Sequence, residues 1–391
     1  MSAYPFTLLF SAAILAMVGT KLWLATRQIR FVAAHRGAVP AKFRDTIPFT
    51  AHQRAADYTV ARTRLTMLQI VASAVLLIAM TLLGGAGALD HALRGWLGSY
   101  GQQILLIAAV MLITSAVEIP FDYVRQFGIE ERFGFNRMTH KLFFADLARN
   151  TVVGALLGLP LLFMVLWLMN RAGPLWWLWT WIVWVAFQLL VLCPSLIAPL
   201  FNKFELLGDE AMRARIEGLM KRYGFTAKGL FMMDGSHCSA YGNTYFTGFG
   251  AAKRIVFFNT LLARLSGSEI EAVLALLGWL AGGTAPGSTG QGGTLPSMAG
   301  SNVGLALTLF FLAVPVFLFF VTTLSSMSSR KHEFEADAFA ASQTDQQDLV
   351  NVLVKLYEDN ASPLTPDPVY TVVYYSHLPA SQRIDRLLRP A

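Results

Sequence analysis

The chain has 391 residues, 55% of them hydrophobic and only 14% charged, with a formal net charge of +7. Soluble proteins carry about 25% charged residues, so this composition excludes an ordinary soluble chain. A basic balance suits nucleic acid or anionic lipid, but no zinc-finger spacing or clustered basic helix is present, so the expected partner is the lipid bilayer and not nucleic acid. The two cysteines, Cys193 and Cys238, supply neither a disulfide framework nor a CxxC metal knuckle.

A bilayer-crossing helix needs about 20 mostly apolar residues. Five segments before residue 201 meet or approach that length: Phe6 to Leu24, Leu68 to Leu89, Ile104 to Pro120, Val152 to Met169 and Leu175 to Ile197. A sixth runs from Val303 to Val321. The first lacks a basic start and a clean small-residue cleavage site, so it reads as a retained anchor and not a signal peptide. Trp176 and its neighbours at the start of the fifth fit an interfacial aromatic belt. Basic residues crowd the loops between spans one and two (Arg27 to Arg64) and between spans three and four (Arg125 to Arg149), while the alternate loops carry Arg94 and Arg171 alone. The positive-inside rule then places the N-terminus outside and the segment after Pro199 in the cytoplasm.

Residues 201–268 are polar enough to fold outside lipid. A helix pattern starts at Asp209 and stops at Gly224. Short apolar runs at 229–233, 243–247 and 255–258 read as strands, and Ser266 with Glu269 forms a capping box for a further helix. Residues 281–302 have flexible-linker composition, and their glycines are not followed by the Gly-Lys-Ser/Thr of a phosphate loop. After the last span, 329–340 looks helical, 346–358 is an amphipathic helix, and Arg383 sits on a short terminal helix.

Glu333 and Asp337, four apart on a helix, share a face. That spacing suits a charged helix end beside a membrane. It also suits a zinc-ligating carboxylate with a second acid one turn later that orients a liganding imidazole. A two-His, one-Glu zinc site ordinarily takes its histidines from His-Glu-x-x-His on one helix, whose Glu is the general base. The seven histidines here are His35, His52, His91, His140, His237, His332 and His377; no two are four apart, and the motif is absent.

Long stretches nevertheless closely resemble the integral-membrane CAAX prenyl endopeptidases, a family of zinc metallopeptidases, in their bacterial form. They include Arg27–Arg30, His35–Pro40, His52–Thr59, Ile129–Asn136, Ile197–Phe204, Gly242–Gly248, Lys253–Phe258, Ser329–Ala340, Thr365–Pro368 and His377–Arg383. The resemblance implies a mainly α fold: a multi-pass membrane helical barrel of seven helices enclosing a water-filled chamber, with a small cytoplasmic α+β peptidase-like domain. It implies residues 1–200 as a five-span membrane region, 201–280 as a cytoplasmic peptidase-like segment, 281–302 as a Gly-rich linker in place of a family helix, 303–325 as a span, and 326–391 as the helical remainder of the peptidase-like domain. It further implies zinc as cofactor, Glu333 as a metal ligand and Asp337 as its second-shell partner. Asn243 would lie on an edge strand that binds substrate backbone by β-augmentation. His377 and Arg383 would be a catalytic pair beside the zinc, the imidazole donating to the developing oxyanion and the guanidinium adding positive field. The implied partners are a peptide or protein substrate and the bilayer; the implied location is the bacterial inner membrane.

The sequence departs from the family pattern at one place. Glu271–Ala275 matches the helix that should run into His-Glu-Leu-Gly-His, but Leu276-Leu277-Gly278-Trp279-Leu280 follows instead. The expected cause is a deletion, because a Leu-Gly-Trp-Leu-like segment belongs near the end of the family's next membrane helix. Topology agrees: a single crossing after five would place Glu333 and Asn243 in opposite compartments, and Ile270 to Ala281, about 18 Å as a helix, falls short of the roughly 30 Å hydrocarbon core. Replacement ligands are few. His332 points about 100° around the helix from Glu333, leaving His377. Two functions stay open: a zinc metalloendopeptidase in the family's manner, and a pseudoprotease or scaffold that binds peptides or lipidated tails without cleaving them. Broken-span repeats of a transporter are absent.

Overall fold

The structure, a computed structural model, describes residues 3–95, 97–191, 303–343, 345–359, 362–375 and 378–387, with four short strands between 204 and 258 and single helical positions at 210, 214 and 218. Helix α1 (Ala3–Ala34) and helix α2 (Phe49–Thr81) each exceed the length needed to cross a bilayer. The expected second span ran to Leu89, but α2 stops at Thr81. The chain turns through Gly84 at φ +76°, a conformation open to glycine, and Leu89 lies on a separate short helix α3 (Gly85–Ala92). Helix α4 (Ser99–Tyr123) contains Pro120, which cannot donate to the ladder, and the chain continues as a π-helix over Val124–Glu130. Helix α5 (His140–Arg171) starts where the Thr139 hydroxyl accepts from the Leu142 amide. Helix α6 runs over Trp176–Val191; its expected extension to Ile197 lies outside the described residues.

Helix α7 (Val303–Gln343) joins two stretches that the sequence pattern reads separately. The last apolar span and the polar segment at 329–340 form one continuous helix of 41 residues. No glycine or proline occurs between Val321 and Gln343 to end it. Three shorter helices follow: α8 (Gln346–Asp359), α9 (Pro368–Tyr374) and α10 (Ala380–Leu387).

Among the described residues, four helices are long and apolar enough to cross a membrane, over Thr7–Ala34, Phe49–Thr81, Ser99–Glu130 and His140–Arg171; two shorter apolar stretches are Leu178–Phe187 and Leu307–Phe319. Their apolar side chains are largely uncovered by protein: Leu68 is 63% exposed, Met111 66% and Leu156 70%. Leaving such surface in water costs about 25 cal/mol per Å2, so lipid must cover it. The chain is therefore a multi-span integral membrane protein.

Two of the buried apolar clusters among the described residues tie α7 into the bundle. In the apolar half, Phe10, Ile14 and Met17 of α1 bury with Val316 of α7. In the polar half, Val39, Phe43 and Ile47 from the connection between α1 and α2 pack with Ala340 of α7, Leu349 and Leu353 of α8, and Ile384 of α10. The connection therefore wedges beneath the C-terminal helices.

The strands β1 (Phe204–Leu206), β2 (Leu230–Met233), β3 (Thr244–Thr247) and β4 (Arg254–Phe258) form one sheet in the order β1-β2-β4-β3. β2 and β4 are parallel; the outer pairs are antiparallel. The three expected strands are present. β1 was not anticipated, being too short to show a period. The helices expected after Asp209 and Ser266, the Gly-rich run at 281–302 and the expected missing crossing all fall outside the described residues, apart from the single positions at 210, 214 and 218.

One polar knot joins the two halves. Asp367 caps α9, accepting from the amides of Val369 at 3.0 Å and Tyr370 at 2.9 Å. The guanidinium of Arg27 on α1 donates to the same carboxylate at 3.0 and 3.2 Å, and the Asp367 amide donates to Gln28 Oε1 at 2.8 Å. Burial alone would raise the Asp367 pKa, but the Arg27 and backbone hydrogen bonds outweigh it and hold the carboxyl below its ordinary value. Its stabilisation is then complete above the ordinary carboxylate pKa of about 4 and is lost as pH falls through the lower folded value. Asp367→Asn is expected to destabilise the protein by about 1–3 kcal/mol near neutral pH. It should also flatten the loss of stability on acidification, both read from thermal melts across an acid pH series.

Candidate active site

Of the candidate residues, Glu333 and Asp337 lie on the polar half of α7, and Arg383 packs against it. Four residues on a helix rise about 6 Å, so Glu333 and Asp337 occupy successive turns of one face. Asp337 is buried at 3% exposure, and Arg383 of α10 meets it at 8%. The Arg383 Nε donates to one carboxylate oxygen at 2.9 Å and an Nη to the other at 2.5 Å, a two-pronged charge-assisted pair. α10 is placed by its own apolar face: Ile384 sits in the polar-half core, and the amides of Gln382 and Arg383 donate back to the Pro379 carbonyl. Arg386 adds a second tie to α7, its guanidinium 4.5 Å from the Phe334 ring centroid. The Gln346 amide on α8 donates to the Leu387 carbonyl at the end of α10.

The resemblance implies Asp337 as the acid that orients a liganding imidazole and Arg383 as a source of positive field beside His377. The structure joins them to each other, so two donors of Arg383 are committed to Asp337. The pair fixes the face of α7 that carries Glu333. The Glu333 side chain and all of His377 lie outside the described residues, as does Asn243, which directly precedes β3. β3 pairs with β4 alone among the described strands and so forms one edge of the sheet.

A zinc site of the family type requires two imidazoles and a carboxylate. Among the described residues no three His, Cys, Asp or Glu side chains gather closely enough to hold a metal ion. The sequence offers Glu333 with His377 as its one plausible imidazole partner and contains no His-Glu-x-x-His. That donor set does not fit a three-ligand zinc centre.

The sequence reading missed the polar networks that bind the site to the bundle. The Arg27–Gln28–Asp367 knot spans 340 positions, and no local spacing announces it. Tyr58 of α2 donates to buried Glu130 at 2.6 Å, and the Glu130 carbonyl receives the amides of Phe135 and Asn136. Arg54 donates to the Phe133 carbonyl and lies over the Phe135 ring. Arg36 and Asp57 pair at 2.7 Å.

These features define a multi-span membrane protein in which C-terminal polar helices are tied to the membrane helices by arginine–carboxylate pairs. Residues 28–203 match the family model described as CAAX prenyl protease N-terminal, five membrane helices, and residues 207–276 and 282–391 match peptidase family M48. The chain belongs to the M48 peptidases of the CAAX prenyl protease kind. It is 33% identical to CAAX prenyl protease 1 homolog of Arabidopsis thaliana, with 71% of each chain covered. The homologous protein of Caenorhabditis elegans is 26% identical over 96% of each chain. The crystal structure of S. mikatae Ste24p superposes with a TM-score of 0.86 at 25% identity, covering 98% of this chain and 99% of that one. The fold expected from the sequence, a mainly helical multi-pass membrane barrel around a chamber, is thus the fold of this family. The M48 match is interrupted at 277–281, directly after Glu271–Ala275.

Removing either half of a buried ion pair strands the other charge, at a cost of about 3–5 kcal/mol. Asp337→Ala and Arg383→Ala should each lower stability by that order. The double replacement Asp337→Leu with Arg383→Met should cost less than their sum. Thermal or denaturant unfolding in detergent reads all three.

Proposed function

We propose that the chain has the design of a membrane zinc metalloendopeptidase of the CAAX prenyl protease type, and that as it stands it binds peptide or lipidated protein tails without hydrolysing them. The carrying observation is the contrast within one site. The Asp337–Arg383 pair that fixes the Glu333 face of α7 is intact, while the sequence lacks the two zinc histidines and the general-base glutamate of His-Glu-x-x-His. Without a general base and a full donor set, activation of the attacking water is lost. Backbone recognition needs neither. Support for it comes from β3, a sheet edge preceded by Asn243, along which an extended peptide adds as a further strand.

In this reading Glu333 is the remaining metal ligand, Asp337 and Arg383 are positioning residues behind it, Asn243 contacts substrate backbone, and His377 faces the scissile carbonyl. Residues 1–200 form the five-span membrane region and 303–325 a further span. Residues 201–280 and 326–391 make the peptidase-like domain, and 281–302 replaces a family helix. The basic loops orient this domain to the cytoplasm of a bacterial inner membrane. A second reading, retained proteolysis, draws on the same intact Asp337–Arg383 pair.

Metal analysis of purified protein should give well under one zinc per chain, and chelator-sensitive cleavage of a prenylated peptide should be absent. The same peptide should still bind, and backbone N-methylation or Asn243→Ala should weaken binding about tenfold. Stoichiometric zinc with chelator-sensitive cleavage establishes the second reading and overturns the first.

A further inference from the structure

A cavity of about 250 Å3 lies between α1 and α2. Both helices are membrane spans, so it is set among lipid-length apolar surfaces. Its two ends differ in chemistry. Toward the apolar half it is walled by Met17 and Val18 of α1 and by Ala74 and Leu77 of α2. Toward the basic end, where α1 carries Arg27 and Arg30, it is walled by Lys21, Thr66 and Gln69. Lys21 is six residues from Arg27, about 9 Å along the helix axis.

Lys21 is the residue that needs an explanation. It is half-buried, and among the described residues no carboxylate pairs with it. Its ammonium lies 5.0 Å from the centroid of the Phe319 ring on α7, a contact that offsets only part of the cost of a cation in a membrane span. The neighbouring cation does not compete for a ligand, because Arg125 is already paired with Asp122 at 3.0 Å. Arg125 also donates to Gln69 Oε1 at 2.9 Å, which leaves the Gln69 side-chain NH2 turned to donating. The polar end therefore offers an ammonium and an amide donor; Thr66 and Ser73 add hydroxyls to the lining, and Met17, Val18, Ile70, Ala74 and Leu77 offer hydrocarbon contact.

We propose that this cavity is a binding site for an anionic glycerophospholipid of the surrounding bilayer, its phosphate at Lys21 and Gln69 and one acyl chain along Met17, Ala74 and Leu77. Charge complementarity selects the headgroup, since a phosphate supplies the counter-charge that Lys21 lacks. The apolar end selects a ligand with a hydrocarbon chain over a free phosphate. A peptide fits poorly, because its backbone amides would need partners that the apolar wall does not provide. The site stands apart from the peptidase reading and does not depend on catalysis.

The test uses the full chain in vesicles of equal phosphatidylglycerol and phosphatidylcholine, extracted gently, with retained lipids counted by native mass spectrometry. Phosphatidylglycerol should be retained about fivefold over phosphatidylcholine, as one engaged cation provides. Lys21→Met, which keeps the apolar stem, should bring the ratio to about one, and Lys21→Arg should preserve it. Ala74→Leu, which fills the apolar end and leaves the charge, should also lower phosphatidylglycerol retention, and it serves alone if Lys21→Met does not fold. Equal retention of the two lipids by the unmodified chain overturns the proposal. So does a ratio unmoved by Lys21→Met, or retention unmoved by Ala74→Leu. Full displacement by soluble glycerol phosphate overturns the acyl-chain part, because a headgroup alone would then suffice.

Discussion

The unbroken course of α7 is the constraint on which the rest of the structure depends. A helix of 41 residues is about 60 Å long, twice the hydrocarbon core of a bilayer. Its apolar half buries Val316 against α1, and its polar half carries Glu333 and Asp337 beyond that packing. Because the helix is continuous, the rotation set by packing in the apolar half also sets which face of the polar half carries those residues. A break near Ser325 would uncouple the two.

The polar half then needs partners that hold it in place without a large apolar core, and the structure supplies buried arginine–carboxylate pairs at two points. Arg383 clamps Asp337 and brings α10 onto α7, while Arg27 clamps Asp367 and brings α9 onto α1. In both cases the carboxylate is almost fully buried and receives several hydrogen bonds. Such pairs confer position more than stability, since burying the charges costs much of what their attraction returns. Beside the Asp337 clamp, Val39, Phe43 and Ile47 pack with Ala340 of α7 and Ile384 of α10. Helix α7 also carries Glu333 one turn before Asp337, and the stretch after Glu271–Ala275 reads Leu276-Leu277-Gly278-Trp279-Leu280.

Membrane helices were legible because lipid imposes a length and a polarity that any 20-residue window reveals. Their ends were less legible. Leu82 to Leu89 reads as a continuation of α2, yet Gly84 turns the chain and starts α3, a choice set by backbone conformation and not by hydropathy. The strands at 230–233, 244–247 and 254–258 were visible as apolar runs, but their order was not: β2 lies beside β4 and leaves β3 at an edge. Glu333 and Asp337 were visible as a helical pair. The partner of Asp337 was not, because Arg383 is 46 positions away and belongs to another helix.

The sequence by itself determined that this is a multi-span membrane protein with the stretches of an M48 peptidase and without its His-Glu-x-x-His, because composition, span length and motif are local properties of a chain. Only the tertiary structure decided that Arg383 answers Asp337, that Arg27 and Gln28 answer Asp367, and that Lys21 faces a cavity with no carboxylate paired to it among the described residues. The reason is physical: the energy of a buried charge is set by what lies within a few ångströms of it, and here those neighbours come from elements tens to hundreds of residues apart.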